Sequence, residues 1–200
     1  MTTIYLVRHG RRTDQAENTH LSDVGIEQAQ LTGEYFKNLG EIDQIYASPM
    51  IRTTQTAQII SDIIKVPIKF DERLRERIEW GDRSGESYED FVSLWNKTAV
   101  DRQYKAPFGD SSYNTGERVK AVLEEISDNK KAIIVSHGGA IGDFLRNVIE
   151  ENKLLFSKSL EGYDFLDILE CSITELSKSG SKYLLKRFNY TGHLIQTGMH

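Results

Sequence analysis

Apolar residues recur along this chain in two rhythms. Short runs in which nearly every position is apolar or β-favouring, Ile4-Tyr5-Leu6-Val7 and Ala132-Ile133-Ile134-Val135, alternate with longer stretches in which apolar residues return every three or four positions. The runs predict strands buried on both faces, and the longer stretches predict amphipathic helices. A first helix is expected from Ser22, a natural N-cap with Asp23 in its first turn, carrying Ile26, Ala29, Gly33 and Phe36 on one face. Gln44 to Ala47 predicts a strand running into Ser48-Pro49, where Ser caps and Pro takes the first helical position of a helix bearing Ala57, Ile60 and Ile64. Val66 to Phe70 reads as a short extended piece before the charged stretch Asp71 to Arg77. Ser87, with Asp90 three residues on, predicts a capping box and a helix that includes Phe91 and Trp95. The pattern fades from Lys97 until Thr115, which is expected to cap a helix with Val119, Val122, Leu123 and Ile126 buried. After the strand at 132–135, Ile141, Phe144, Leu145 and Val148 mark a further helix. Cys171 to Leu176 and Lys182 to Phe188 alternate as two strands of a hairpin turning at Ser179-Gly180. Strands alternating with helices imply an α/β sheet covered on both faces.

Composition narrows the setting. Two hundred residues without a Pro/Gly/Ser-rich linker, repeat or charge block predict one domain spanning 1–200. No apolar run approaches the roughly 20 residues of a membrane helix. The N-terminus lacks a basic region followed by an apolar stretch, so a cytoplasmic protein is expected. Cys171 is the only cysteine, which rules out an internal disulfide and predicts a small buried strand residue. A net charge of −5 disfavours broad nucleic-acid binding but leaves room for a small anionic ligand in a locally positive cleft.

Candidate chemistry lies where the two apolar runs end. The first exits into Arg8-His9-Gly10 and the later one into Ser136-His137-Gly138-Gly139. If both strands are parallel, both histidines reach the same carboxyl edge and share one pocket. His9 is the candidate nucleophile toward phosphorus. Arg8 adds a fixed fork of donors, Gly10 permits a tight turn, and Gly138 lets a backbone amide approach a ligand. Arg52, in the first turn of its helix, combines its charge with the positive end of the helix dipole as a second phosphate clamp. Glu76 is a carboxylate in the charged stretch, with Glu79 as its nearest rival.

Taken together these segments resemble the histidine phosphatase superfamily. The matching pieces are Leu6-Val7-Arg8-His9-Gly10, Leu21-Ser22 with Gly25 and Gln28-Ala29, Ser48-Pro49 with Arg52-Thr53 and Gln55-Thr56-Ala57, Leu74-Arg75-Glu76, and Val135-Ser136-His137-Gly138-Gly139. Cys171 to Leu176 and Asn189 followed by His193-Leu194 resemble the closing segments. The resemblance implies the phosphoglycerate mutase-like fold, a three-layer α/β/α sandwich with a mostly parallel central sheet. It further implies that His9 becomes a phosphohistidine, that Arg8, Arg52 and His137 hold the phosphoryl oxygens, and that Glu76 protonates the leaving oxygen, with no metal or other cofactor. The expected activity is hydrolysis of a phosphorylated small molecule.

Alternatives stay open at this point. Phosphoglycerate mutase-type transfer, a metal-dependent hydrolase and a phosphate-recognition module without turnover are the competing functions. The stretch from His9 to Leu21 is shorter than in many mutase-like proteins and has Gln15 where they carry an Asn, which weighs toward hydrolysis. Arg11 and Arg12 either extend a positive rim or face solvent, and Asp14 has no assigned role. His20, His193 and His200 are expected to be structural or surface residues. Substrate choice is expected to reside in Arg11 to His20 and Ile78 to Gly116, and the oligomeric state is left open.

Overall fold

The computed structural model describes residues 1–13, 19–80, 85–150, 153, 154, 156–158 and 164–197. The chain runs β1 (Thr2–Arg8), α1 (Asp23–Leu39), β2 (Gln44–Ala47), α2 (Ile51–Ile64), β3 (Ile68–Phe70) and a 3-10 turn (Glu72–Leu74). It continues through α3 (Tyr88–Val100), α4 (Ser112–Glu124), β4 (Lys131–Ser136) and α5 (Gly138–Val148). A small pair, β5 (Ser157–Lys158) and β6 (Asp164–Phe165), precedes β7 (Ile173–Ser179), β8 (Lys182–Tyr190) and a closing 3-10 turn (Gly192–Thr197). The central sheet has the order β3-β2-β4-β1-β7-β8. β3, β2, β4 and β1 are mutually parallel, while β7 and β8 add an antiparallel edge. The fold is therefore α/β with a mostly parallel sheet.

Period-two alternation sorts the strand side chains into two cores. Ile4 and Leu6 of β1, with Ala132 and Ile134 of β4, pack against Val119, Val122 and Leu123 of α4 and Ile141, Phe144 and Leu145 of α5. Tyr5 and Val7, with Ile133 and Val135, face the opposite way, against Phe36 of α1 and Ala57 and Ile60 of α2. Phe36 and Phe144 are wholly buried, each stabilising the fold by about 1.5–3 kcal/mol through removal of apolar surface from water. This sorting creates the site. The chain leaves β1 toward the α1/α2 layer and leaves β4 toward the α4/α5 layer, so the neighbouring carboxyl ends of β1 and β4 open a crevice, the usual ligand position in such sheets.

Several local expectations hold and several are corrected. Ser22 caps α1, accepting from the Gly25 amide at 3.2 Å, and Ser87 with Asp90 forms a complete capping box on α3. Ile26, expected on the buried face of α1, is 36% exposed, whereas Ala29 and Phe36 are buried. Ser48 does not cap α2. The N-cap is Met50, without a side-chain bond, and the Ser48 hydroxyl is drawn instead toward β4. Thr115 lies inside α4, its amide donating to the Ser111 carbonyl, and Ser111 is the true cap. The helix starts earlier than its apolar rhythm because its first turn is polar on every side. Cys171 is buried as expected but sits in a turn before β7 with φ of 50°, where its amide donates to the carbonyls of Arg8 and His9.

Candidate active site

The register of β1 and β4 brings the two histidines together. Val7 pairs with Val135 and Arg8 with Ser136, so the next residues, His9 and His137, leave adjacent parallel strands side by side. Their rings lie 5.5 Å apart, edge to face. The His9 amide continues the ladder to the Ser136 carbonyl at 3.0 Å. His9 Nδ1–H donates to the Gly10 carbonyl at 2.8 Å, an assignment that leaves Nε2 with the lone pair. Burial, followed by the charges of Arg8 and Arg52, holds the His9 imidazole well below its ordinary pKa, so it is neutral. Gly10 serves by close approach rather than by a left-handed turn: a β-carbon there would lie 2.5 Å from the Gly25 carbonyl oxygen at the start of α1.

Arg52, in the first turn of α2, is buried and reaches across the crevice. Its Nη2 donates to His137 Nδ1 at 2.8 Å and also pairs with the Glu79 carboxylate. His137 Nε2 in turn donates to Ser48 Oγ at 2.8 Å, so both ring nitrogens are engaged and the ring is fully buried behind the guanidinium. Burial and Arg52 depress the His137 pKa well below its ordinary value. Arg52 Nη1 and Nε make no hydrogen bond to any described residue, nor does Arg8 Nε. Buried N–H groups in this condition are normally satisfied, and a phosphoryl oxygen would satisfy them.

Arg8 is set by the chain's far end. Its Nη1 donates to the Ile168 carbonyl at 2.5 Å. Asn189 holds the loop that carries Ile168, accepting from the Leu169 amide at 2.8 Å and donating to the Asp167 carbonyl at 2.7 Å. The closing segment thus positions the guanidinium of Arg8, a residue from the opposite end of the sequence.

A cleft of about 330 Å³ opens over these groups. Arg8, His9, Arg12, Arg52, Glu76, Glu79 and Gly138 all border it. Glu76 is fixed by two amides, Gly139 N–H to Oε2 at 3.0 Å and Arg77 N–H to Oε1 at 2.9 Å, the first belonging to the N-terminal turn of α5. Gly138 leaves open room beside Arg8, because a β-carbon there would meet Arg8 Cδ and Nε at an ordinary 3.5 Å. Glu79 is nearly buried, and burial outweighs the attraction of Arg52 so that its pKa is raised. Arg12 borders the cleft, whereas Arg11 pairs with Glu170 at 3.0 Å away from it. Asp14, Gln15 and His200 lie outside the described residues.

Sequence reasoning missed four contributors. Ser48 carries the sequence signal of a helix cap, and the Ile168 carbonyl carries no sequence signal at all. Arg77 is buried and gives Nη1 to both oxygens of Asp143 at 2.9 and 2.8 Å, beneath the cleft. Trp95, whose helical spacing was legible, has its ring 4.2 Å from the Arg77 guanidinium and borders the same cleft. Among the other histidines, His193 is packed against Tyr35 and Tyr190 and bonded to Thr32 Oγ1 at 3.0 Å, its pKa lowered to about 4 by burial. His20 meets Gln55 at 3.1 Å. Among the described residues no group of three or more His, Cys, Asp or Glu is arranged to hold a metal, and no helix is long and apolar enough to cross a membrane.

The family model described as histidine phosphatase superfamily (branch 1) matches residues 4–191. The chain belongs to the histidine phosphatase superfamily. A relative from Yersinia pestis strain Pestoides F, named probable phosphoglycerate mutase GpmB, is 34% identical over 164 residues, covering 74% of this chain and 75% of that protein. Among solved structures, phosphoserine phosphatase from Entamoeba histolytica, in complex with 3-phosphoglyceric acid, aligns with a TM-score of 0.72 and 24% identity over 98% of this chain and 100% of that one. A mycobacterial glucosyl-3-phosphoglycerate phosphatase with inorganic phosphate aligns with a TM-score of 0.74 and 20% identity over 96% and 98% of the two chains. These likenesses establish the three-layer fold of the superfamily for this chain. Within the superfamily match lie both strand exits, His9 and His137, together with Arg52 and Glu76.

Proposed function

We propose that this chain is a metal-independent phosphomonoester hydrolase working through a phosphohistidine on His9. The observation that carries this reading is the buried His9 ring, its Nδ1 bonded to the Gly10 carbonyl, bordering a cleft flanked by Arg8 and Arg52, with burial favouring the neutral form. In the first step Nε2 attacks phosphorus and the bond to the leaving oxygen breaks. Arg8 and Arg52 stabilise the charge on the equatorial oxygens, the term that dominates phosphoryl transfer. His137 holds Arg52 from behind; its own contact with a phosphoryl oxygen requires exchange of the Ser48 bond. Glu76 gives its proton to the leaving oxygen. In the second step Glu76 takes a proton from water, whose oxygen attacks phosphohistidine and frees phosphate, restoring neutral His9.

Two features favour Glu76 over Glu79 as the acid. Glu76 borders the cleft and is oriented by the amides of Gly139 and Arg77, while Glu79, although burial raises its pKa, is committed to Arg52, the group that phosphate must engage. The relatives' names span a mutase and two phosphatases, all of phosphorylated small molecules. Hydrolysis is favoured here because a mutase must grip a second anionic group, and Arg77, buried beneath the cleft, is already neutralised by Asp143. The crowd of arginines around His9 suits an anion better than a cation, which supports independence from metal.

The decisive experiment measures phosphate release from an aryl phosphate with chelator present throughout, in the wild type and in His9→Ala. Release that vanishes in the variant, with an acid-labile phosphoenzyme trapped in the wild type, is expected. Equal activity in both proteins overturns the mechanism, and interconversion of phosphoglycerates without net release makes the protein a mutase.

A further inference from the structure

The second half of the cleft is built differently from the first. Helix α3 is amphipathic, yet none of its apolar residues joins the cores on either face of the sheet. Tyr88, Phe91, Val92 and Trp95 share one face at helical spacing, and all four border the cleft. Their rings are in sequential contact: Trp80 to Tyr88 at 5.1 Å, Tyr88 to Phe91 at 6.3 Å and Phe91 to Trp95 at 5.9 Å. This is a run of four rings in sequential contact along the cleft, whereas the rings of the cores, Phe36 and Phe144, are wholly buried. Uncovered apolar faces of this kind mark binding surfaces.

The wall begins where the leaving group must begin. A β-carbon built on Gly139 would lie 2.5 Å from Glu76 Oε1 and 2.6 Å from Trp95 Cη2, so the proposed acid and the indole edge meet over the same glycine. A group that hands its proton to the leaving oxygen sits beside that oxygen, within hydrogen-bond reach. The carbon skeleton attached to that oxygen is therefore directed along Trp95 and onto Phe91 and Tyr88. Of the cations near this end, Arg77 gives Nη1 to both oxygens of Asp143, and Arg146 gives Nη1 to the Ala99 carbonyl at 3.1 Å while it lies over the Phe156 ring; the Nε of each makes no hydrogen bond to a described residue. The continuous apolar lining of Trp95, Phe91, Val92 and Tyr88 rewards a flat apolar ring.

We infer that the substrates are phosphomonoesters whose alcohol carries a flat apolar ring within a few bonds of the ester oxygen, seated on the α3 wall. This rests on the hydrolase reading and sharpens it. Esters such as phosphoserine and 3-phosphoglycerate, with a carboxylate in place of the ring, are expected to be poor substrates.

The test compares kcat/KM for 2-phenylethyl phosphate and propyl phosphate, primary-alcohol esters of similar leaving-group basicity, with phosphoserine and 3-phosphoglycerate alongside. An advantage of roughly tenfold or more for the ring ester over propyl phosphate is expected, the size of one well-formed aromatic contact. Phe91→Ala should collapse that ratio toward one, chiefly through KM, and Phe91→Tyr should restore it. Phe91 is half-buried on a surface helix outside the cores, so both variants are expected to fold. A wild-type ratio near one, or a ratio that Phe91→Ala leaves unchanged, overturns the inference while leaving the His9 mechanism standing. Absence of turnover with every ester, and with the aryl phosphate as well, overturns the hydrolase reading and the inference with it.

Discussion

His9 and His137 make an instructive pair. Both follow an apolar strand, both precede glycine, and strand register sets them side by side, yet the structure gives them different work. His9 spends one nitrogen on its own loop and keeps Nε2 free of hydrogen bonds to the described residues. His137 has both nitrogens engaged, one by Arg52 and one by Ser48, and is buried behind the guanidinium. Position at a strand exit places an imidazole in the site, while its neighbours decide whether a ring nitrogen is left free toward the cleft or both are engaged.

The largest break in this comparison is replacement of each ring in turn. His9→Ala is expected to lower kcat by about 10⁴-fold or more, because the proposed mechanism forms its covalent intermediate on this ring. Glu76→Gln should cost about 10²–10⁴-fold with alkyl phosphates and much less with aryl phosphates whose leaving groups need no proton. Glu79→Gln should spare that leaving-group dependence, and steady-state kinetics over a series of esters separates the two carboxylates. His137→Ala should lower kcat by roughly 10²-fold, the scale for loss of one oriented donor, while still allowing the phosphoenzyme to be trapped. Trapping in His137→Ala but not in His9→Ala would sharpen the division of labour; trapping in both would erase it.

A smaller effect separates the two glycines that follow His137. Gly138→Ala meets Arg8 at ordinary contact distance and should change kcat/KM by less than about threefold, given the open room there. Gly139→Ala must push the Glu76 carboxyl and the Trp95 edge aside, and a displacement of an ångström at the acid should cost between about 10- and 100-fold in kcat.

The mildest test is pH. Both histidines are depressed below the usual imidazole value of about 6.5, so kcat/KM should stay level as pH falls through 6.5, with its acid limb lying lower. A half-maximal point at or above 6.5 would contradict a buried neutral nucleophile. Stability follows the same sign. A folded-state pKa below the unfolded value gives stability fully present above about pH 6.5, which is lost as pH falls toward and through the depressed value. Thermal unfolding from pH 7 downward should therefore show a smaller loss of Tm in His137→Asn than in the wild type.

Much of this was legible from local pattern. Ser22 and Ser87 announce their helices because an N-cap bonds only to the turn it begins. Ile4 to Val7 and Ala132 to Val135 announce buried strands because both faces of a covered sheet exclude water. The same rules misplace Ser48 and Thr115, where hydroxyl-rich sequence offers more than one capping register. They also misplace Ile26, since helical spacing defines a face without fixing which edge of it meets the core.

The sequence by itself determined the strand-and-helix alternation, the two Arg/Ser-His-Gly exits and the helix-borne arginine, all of which depend on residues within a few positions of one another. Only the tertiary structure decided that β1 lies beside β4 in the register that joins His9 to His137. It alone decided that Ser48 supports His137 and that Asn189 steadies the loop gripping Arg8. It also turned the apolar face of α3 toward the cleft rather than into the core. Those choices rest on pairings between distant parts of the chain, and their energies come from shared burial and mutual hydrogen bonding that no local stretch of sequence contains.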